Sequence, residues 1–186
     1  LTGLILNSCT NNQYESNKYK IKEMETTDIT DVHSYAQFDK AYTTHLYLDL
    51  NADFDKKVLS GIAAHTIQNN NATEIVFDIK DLNIEKIVTN DEGKEVKFSI
   101  GEEDKIKGRP LIVDITPKTT RVEIYYSTNP SSEAVQWLSP QQTADKTDPF
   151  LFTQGEAILT RSWIPIQDSP GNKITYSARF KGPDSL

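Results

Sequence analysis

Alternation with a period of two governs this sequence. Leu46, Leu48 and Leu50 alternate with His45, Tyr47 and Asp49. Ile62, Ala64 and Thr66 alternate with Gly61, Ala63 and His65, and Ile75, Phe77 and Ile79 with Val76 and Asp78. After the turn Asn90-Asp91-Glu92-Gly93 the pattern returns in Val96, Phe98 and Ile100, in Leu111, Val113 and Ile115, in Val122, Ile124 and Tyr126, and in Ile174, Tyr176 and Ala178. Successive side chains of a strand point to opposite faces, so strict alternation marks a strand with one face in a core. These runs stand at short spacing with no long helical stretch between them, which predicts an all-β, sandwich-like domain. The 186 residues suffice for one domain with a real core.

Composition narrows the partners. The apolar fraction is 37%, with eight Gly and eight Pro, so the bulk of the chain is globular and not low-complexity. A net charge of −7 argues against nucleic acid, whose binders cluster Lys and Arg. No run reaches the ~18 apolar residues of a membrane-spanning helix.

The single cysteine, Cys9, excludes an intramolecular disulfide framework and a thiolate metal cluster. Leu4, Ile5 and Leu6 are apolar, Ser8 is small, and a polar run from Thr10 to Lys20 follows Cys9. This resembles the end of a bacterial lipoprotein signal, in which the cysteine becomes the lipidated first residue; Asn7 departs from the small residue usual at its place. The basic start of such a signal is missing. Residues 1–30 therefore read as a truncated signal remnant and a flexible tether, because their Asn, Lys, Glu, Ser and Thr carry no periodicity. An acyl anchor on Cys9, at about 0.8 kcal/mol per buried CH₂, would place the protein in the cell envelope with no other membrane contact. The competing reading is a chance apolar stretch before a free thiol.

From Asn129 to Pro170 the pattern changes: Pro130, Pro140, Pro149, Pro165 and Pro170 fall here with both tryptophans, Trp137 and Trp163. Such segments read as long ordered loops, where functional surfaces tend to lie, with the tryptophans closing an open end of the sandwich. Chemistry is otherwise sparse. His33, His45 and His65 stand in no HExxH or other close zinc pairing, and there is no nucleophile elbow or phosphate loop.

One constellation goes further. Gln154-Gly155-Glu156-Ala157 is followed by Arg161, Pro165, Asp168 and Pro170. This is the pattern Q-x-E-A-x3-R-x3-P-x2-D-x-P of the M1 zinc peptidases, the aminopeptidase N and leukotriene A4 hydrolase family, which the chain resembles from about Asp31 to Lys181. The runs Gln136-Trp137-Leu138-Ser139-Pro140-Gln141-Gln142-Thr143, Pro149-Phe150-Leu151-Phe152, Lys80-Asp81-Leu82-Asn83-Ile84-Glu85-Lys86 and Lys173-Ile174-Thr175-Tyr176-Ser177-Ala178 are similar to the leukotriene hydrolase branch. The resemblance implies a saddle-shaped N-terminal β-domain over residues 31–186. It also implies a thermolysin-like catalytic domain downstream that holds the zinc, none of whose ligands lies in this chain.

By the same resemblance, Glu156 binds the free α-amino group of a peptide, Gln154 lines the same cleft, and Gly155 and Ala157 complete the substrate-binding segment. An exopeptidase has to count from the chain end, and a carboxylate meets an ammonium group with a charge-assisted hydrogen bond. The leukotriene hydrolase branch often carries Gln where this chain has Glu156, which favours plain aminopeptidase work over epoxide hydrolysis. Ile166 replaces a cysteine of the family. Arg161 and Asp168 are expected to pair and pin the loop, and the backbone near Gly155 to Ala157 is expected to be unusual, a non-proline cis peptide included. The alternative to a peptidase domain is a free-standing β-sandwich lipoprotein that binds peptides or sugars.

Overall fold

The structure, a computed structural model, describes residues 31–90 and 93–183. Cys9, the apolar run before it and the proposed tether lie outside the described residues, as do Asp91 and Glu92 of the expected turn. Ten strands and two short 3-10 turns make up the regular structure, with no α-helix among the described residues.

The longest pairing is the hairpin of β1 (Ala41–Asp53) and β2 (Val58–Asn69). Its turn is closed by Asp53, whose carboxylate accepts the Lys56 N–H at 2.9 Å, and by Lys57 in the left-handed region. The hairpin forms the middle of a five-stranded sheet of order β10-β1-β2-β7-β4, with β4 at Asn83–Thr89, β7 at Arg121–Ser127 and β10 at Thr175–Lys181. A second sheet is built from β3 (Glu74–Ile79), β5 (Phe98–Ile100) and β6 (Arg109–Asp114), with β6 in the middle. Leu46, Leu48 and Leu50 of the first sheet, with Val122, Ile124 and Tyr126, share one core with Ile75, Phe77, Ile79, Leu111 and Val113 of the second. The hairpin of β8 (Val135–Leu138) and β9 (Phe150–Thr153) lies apart, over a smaller cluster of Ala52, Leu59 and Val135. The fold is thus all-β, with two facing sheets that do not close into a barrel.

Two of the expected strand faces differ in the structure. In β2 the row with Leu59, Ala63, His65 and Ile67 is buried, with half-buried Gly61 between them, one residue out of step with Ile62 and Thr66; Ala64 is buried on the other face. Register decides this: Leu50 pairs with Gly61 and Leu48 with Ala63 across β1, while Gly61 pairs with Tyr126 and Ala63 with Ile124 across β7. Small residues here meet large neighbours, so the bulkier Ile62 is turned outward. Gly61, at φ +150°, lies so close to the Asp49 carbonyl that a Cβ would run into it; only glycine fits. In β10 the alternation Ile174, Tyr176, Ala178 is present, but every residue of the strand is exposed. The strand runs parallel to β1 at the sheet edge, with Tyr176 beside Leu46 and Phe180 beside Leu50. Its inner face therefore continues the core row, yet Tyr176 is 75% and Phe180 51% exposed.

Three strands carried no clear period. β4 contains a register shift between Ile84 and Lys86, which breaks its alternation. The others, β8 and β9, have four residues each and fall in the segment that reads as loop. Trp137 sits on β8 with its ring edge-on to Phe54, centroids 5.1 Å apart, and Trp163 packs against both clusters.

Candidate functional site

The segment Gln154 to Ala157 leaves the end of β9 as a turn on the protein surface. Gln154 and Glu156 are exposed, Ala157 is exposed, and Gly155 is half-buried. Gly155 packs so tightly on the Thr160 side chain that a Cβ would overlap its hydroxyl. The Gln154 side chain turns back on its own loop, its Oε1 accepting the Glu156 N–H at 3.1 Å. The Leu159 N–H donates to the Gly155 carbonyl at 2.9 Å and closes the turn. The Glu156–Ala157 peptide is cis. Among the described residues no hydrogen bond or ion pair engages the Glu156 carboxylate, which faces outward from a fixed backbone and is open to a cation.

The chain just beyond the turn is held from several sides. Arg161 is fully buried. Its Nε donates to Asp168 Oδ2 at 3.1 Å, its Nη2 to the Asp168 carbonyl at 3.0 Å and its Nη1 to the Lys107 carbonyl at 2.7 Å. Asp78 of β3, also fully buried, stands 3.8 Å from Nη1. Its two oxygens accept the Ser34 hydroxyl at 2.6 Å, the Tyr35 N–H at 2.7 Å and the Asp168 N–H at 2.9 Å. A buried carboxylate, Asp78, and a half-buried one, Asp168, thus share one guanidinium and a set of backbone donors, as charges removed from water require. Burial pushes the Asp168 carboxyl above its usual range, against the pull of Arg161.

The stretch after Arg161 is stitched to both sheets. Ile166 pairs its backbone with Asp78 of β3. Gln167, 3% exposed, accepts the Thr43 N–H and donates to the Ala41 carbonyl, which satisfies β1 beside its bulge at Thr43/His45. His65 of β2 reaches the Pro165 carbonyl with Nε2 at 3.0 Å and the Thr43 hydroxyl with Nδ1 at 3.1 Å. A carbonyl only accepts, so Nε2 carries the proton and Thr43 donates to Nδ1.

Complete burial drives the His65 pKa from 6.5 to about 3. Between those values the unfolded chain binds a proton that the folded one refuses, so stability falls as pH drops below 6.5. At pH 5 the loss from this group is about 2 kcal/mol relative to pH 7. Urea unfolding midpoints measured from pH 7 to 5 are expected to fall for the wild type and to fall less steeply for His65→Gln. Equal slopes would mean that His65 is not the group responsible.

The remaining histidines have local roles. His45 bonds Thr175 and Ser177 of the neighbouring β10, and exposed His33 lies 3.6 Å from Asp31. No group of three His, Cys, Asp or Glu that could hold a metal occurs among the described residues. The structure therefore brings Gln154, Gly155, Glu156 and Ala157 together at one surface, and pairs the buried Arg161 with the half-buried Asp168 a few residues beyond. Asp78, His65 and Gln167, which hold the same loop, carry no signal in the sequence, because each lies far along the chain from partners it meets in the fold.

Over residues 16–185 the sequence matches the family described as the peptidase M1 N-terminal domain. The leukotriene A-4 hydrolase of Xenopus laevis is 35% identical over 165 residues, which cover 85% of this chain and 27% of that protein. Leucine aminopeptidase 2 of Pyricularia oryzae is 34% identical over 156 residues, covering 80% and 25%. Among solved structures, yeast leukotriene A4 hydrolase in complex with bestatin has the same fold, with a TM-score of 0.78 at 24% identity over 86% of this chain and 26% of that one. The chain spans about a quarter of the length of the curated relatives it matches.

Proposed function

Because this chain belongs to the peptidase M1 N-terminal domain family, we propose that it is the substrate-reading domain of a zinc aminopeptidase, offering Glu156 to the α-ammonium group of a peptide. The observation that carries this reading is an exposed carboxylate on a turn whose backbone is tied at Gln154, Glu156 and Leu159 by three hydrogen bonds. The held backbone leaves only the Glu156 side chain to be ordered on meeting a cation, so much of the charge-assisted bond remains as affinity. Once a partner domain and a peptide exclude water from it, the pair grows stronger still.

The described residues do not fit a zinc site. The zinc and the hydrolytic chemistry belong to a downstream catalytic domain of the full protein, and this domain contributes binding and orientation. Exposed aromatic rings support such a partner: Phe150 and Phe152 lie together on β9, their centroids 6.4 Å apart, and Tyr176 and Phe180 lie on the edge strand β10.

The full-length protein is expected to hold one zinc and to release the first residue of a free-amine peptide. Residues 31–183 alone are expected to do neither. Metal analysis finding one tightly held zinc in this domain, or a full-length protein without aminopeptidase activity, would overturn the assignment. We also propose the lipid anchor at Cys9, supported by the Leu4–Cys9 sequence alone. Cells fed a labelled fatty acid should label the wild-type protein and not Cys9→Ala; a wild type without label would remove the anchor and the envelope location together.

A further inference from the structure

The turn that carries Glu156 begins at Gln154 and runs into the 3-10 turn Thr160–Ser162, and both ends are tied to one residue, Ala134, just before β8. The Ala134 carbonyl accepts the Gln154 N–H at 2.9 Å, and the Ala134 N–H donates to Ser162 Oγ at 3.1 Å. Ala134 is completely buried. Ser162, 1% exposed, gives its own hydroxyl hydrogen to the Leu159 carbonyl at 2.7 Å. Leu159 is the residue whose N–H closes the turn on Gly155. Behind Ser162 stands the buried Ser132, whose hydroxyl donates to the Ser162 carbonyl at 2.7 Å and lies 3.2 Å from Ser162 Oγ. One hydroxyl thus joins the root of the hairpin to the closing residue of the turn.

Glu156 has no side-chain partner of its own among the described residues, so its carboxylate is placed by its backbone alone. We propose that Ser162, backed by Ser132, is a positioning residue for amine recognition: its hydroxyl sets where Glu156 stands when a peptide ammonium arrives. The inference rests on Glu156 being the amine anchor. Loss of the Ser162 hydroxyl leaves the buried Ala134 N–H without an acceptor and leaves the Leu159 carbonyl with the Ser162 backbone N–H, at 2.9 Å, as its remaining partner, so the turn loses its link to the root of the hairpin and is ordered in part only when a ligand binds. A hydrogen bond of this kind contributes enough to cut amine-dependent affinity by about 3- to 10-fold.

The test uses the full-length protein and two competitive inhibitors, a dipeptide analogue with a free α-amine and its des-amino counterpart. The ratio of their inhibition constants reads the amine contact and is blind to a general loosening of the fold. Ser162→Ala is expected to reduce the preference for the amine by about 3- to 10-fold and to raise KM more than it lowers kcat, while Ser162→Thr, which keeps the hydroxyl, recovers the preference. Glu156→Gln is measured alongside. If it leaves the preference unchanged, the amine-anchor reading fails and this inference falls with it. If Glu156→Gln abolishes the preference while Ser162→Ala leaves it at the wild-type value, Ser162 serves the fold only and the inference alone is overturned. Should Ser162→Ala fail to fold, Ser162→Cys decides, since it keeps the side chain's size and weakens both bonds of the hydroxyl: a reduced preference supports the proposal, and an unchanged one overturns it.

Discussion

Glu156→Gln in the full-length protein is expected to lower kcat/KM for a free-amine dipeptide by about 10- to 150-fold. The substitution conserves shape and hydrogen-bonding capacity and removes only the charge, so it isolates the electrostatic part of the contact. A hydrogen bond to a charged group contributes about 1.5–3 kcal/mol, which gives that range when read as lost transition-state stabilisation. The turn itself should not move, because two backbone bonds and the Gln154 side chain hold it: the Leu159 N–H on the Gly155 carbonyl, the Gln154 N–H on the Ala134 carbonyl and the Glu156 N–H on Gln154 Oε1. Unfolding midpoints of the variant should therefore match the wild type. A peptide analogue without the α-amine never forms the pair, so the variant should bind it as well as the wild type does. Wild-type kcat/KM in the variant would show that Glu156 is a solvated loop acid and no more.

Arg161→Met is expected to destabilise the domain by about 3–5 kcal/mol, the usual loss when one partner of a buried ion pair is removed. That is a large share of the about 5–15 kcal/mol that holds a typical domain together. Met matches the length of the side chain and packs well, so a cavity is not the cause. The loss comes from Asp78 and Asp168, left facing each other inside the protein with fewer donors, and from the carbonyls of Lys107 and Asp168, which lose theirs. Arg161→Lys should recover little, since one ammonium cannot reach the three directions that the planar guanidinium serves. Adding Asp168→Asn to Arg161→Met should restore part of the stability, because the orphaned charge is then gone. Urea unfolding of the three variants measures this. A loss below about 1 kcal/mol, as for a surface pair, would mean that water reaches the site.

Most of the core could be read in advance, and where the reading failed a reason can be given. β1, β3, β6 and β7 have large apolar residues on the face turned to the opposite sheet, and there period two is reliable. β2 misleads because Gly61 and Ala63 face the core to leave room for Leu50, Tyr126 and Ile124, while Ile62 points outward. A shift of one residue turns a whole strand over, and only pairing with both neighbours chooses between the faces. β10 misleads differently: its pattern is that of a half-buried strand, but its inner face has no cover within these residues. At the site, the Gln154–Ala157 segment and the seven-residue separation of Arg161 from Asp168 were legible as a pattern. Asp78, which completes their network, was read only as the outward alternate of a strand.

The sequence alone determined the class of fold, the position of the longer strands and the segment that carries the candidate site. These depend on local order: residues two apart share a face of a strand, and the loop motif is a short run of neighbours. The tertiary structure decided which face of β2 is inside, how deeply His65 is buried, and that Ser132, Ala134 and Ser162 hold the turn beneath Glu156. Each of these depends on contacts between residues distant in the chain. A small polar residue such as Ser162 looks the same in sequence whether it faces water or closes a buried network, because only packing removes the water that would otherwise compete for its hydroxyl.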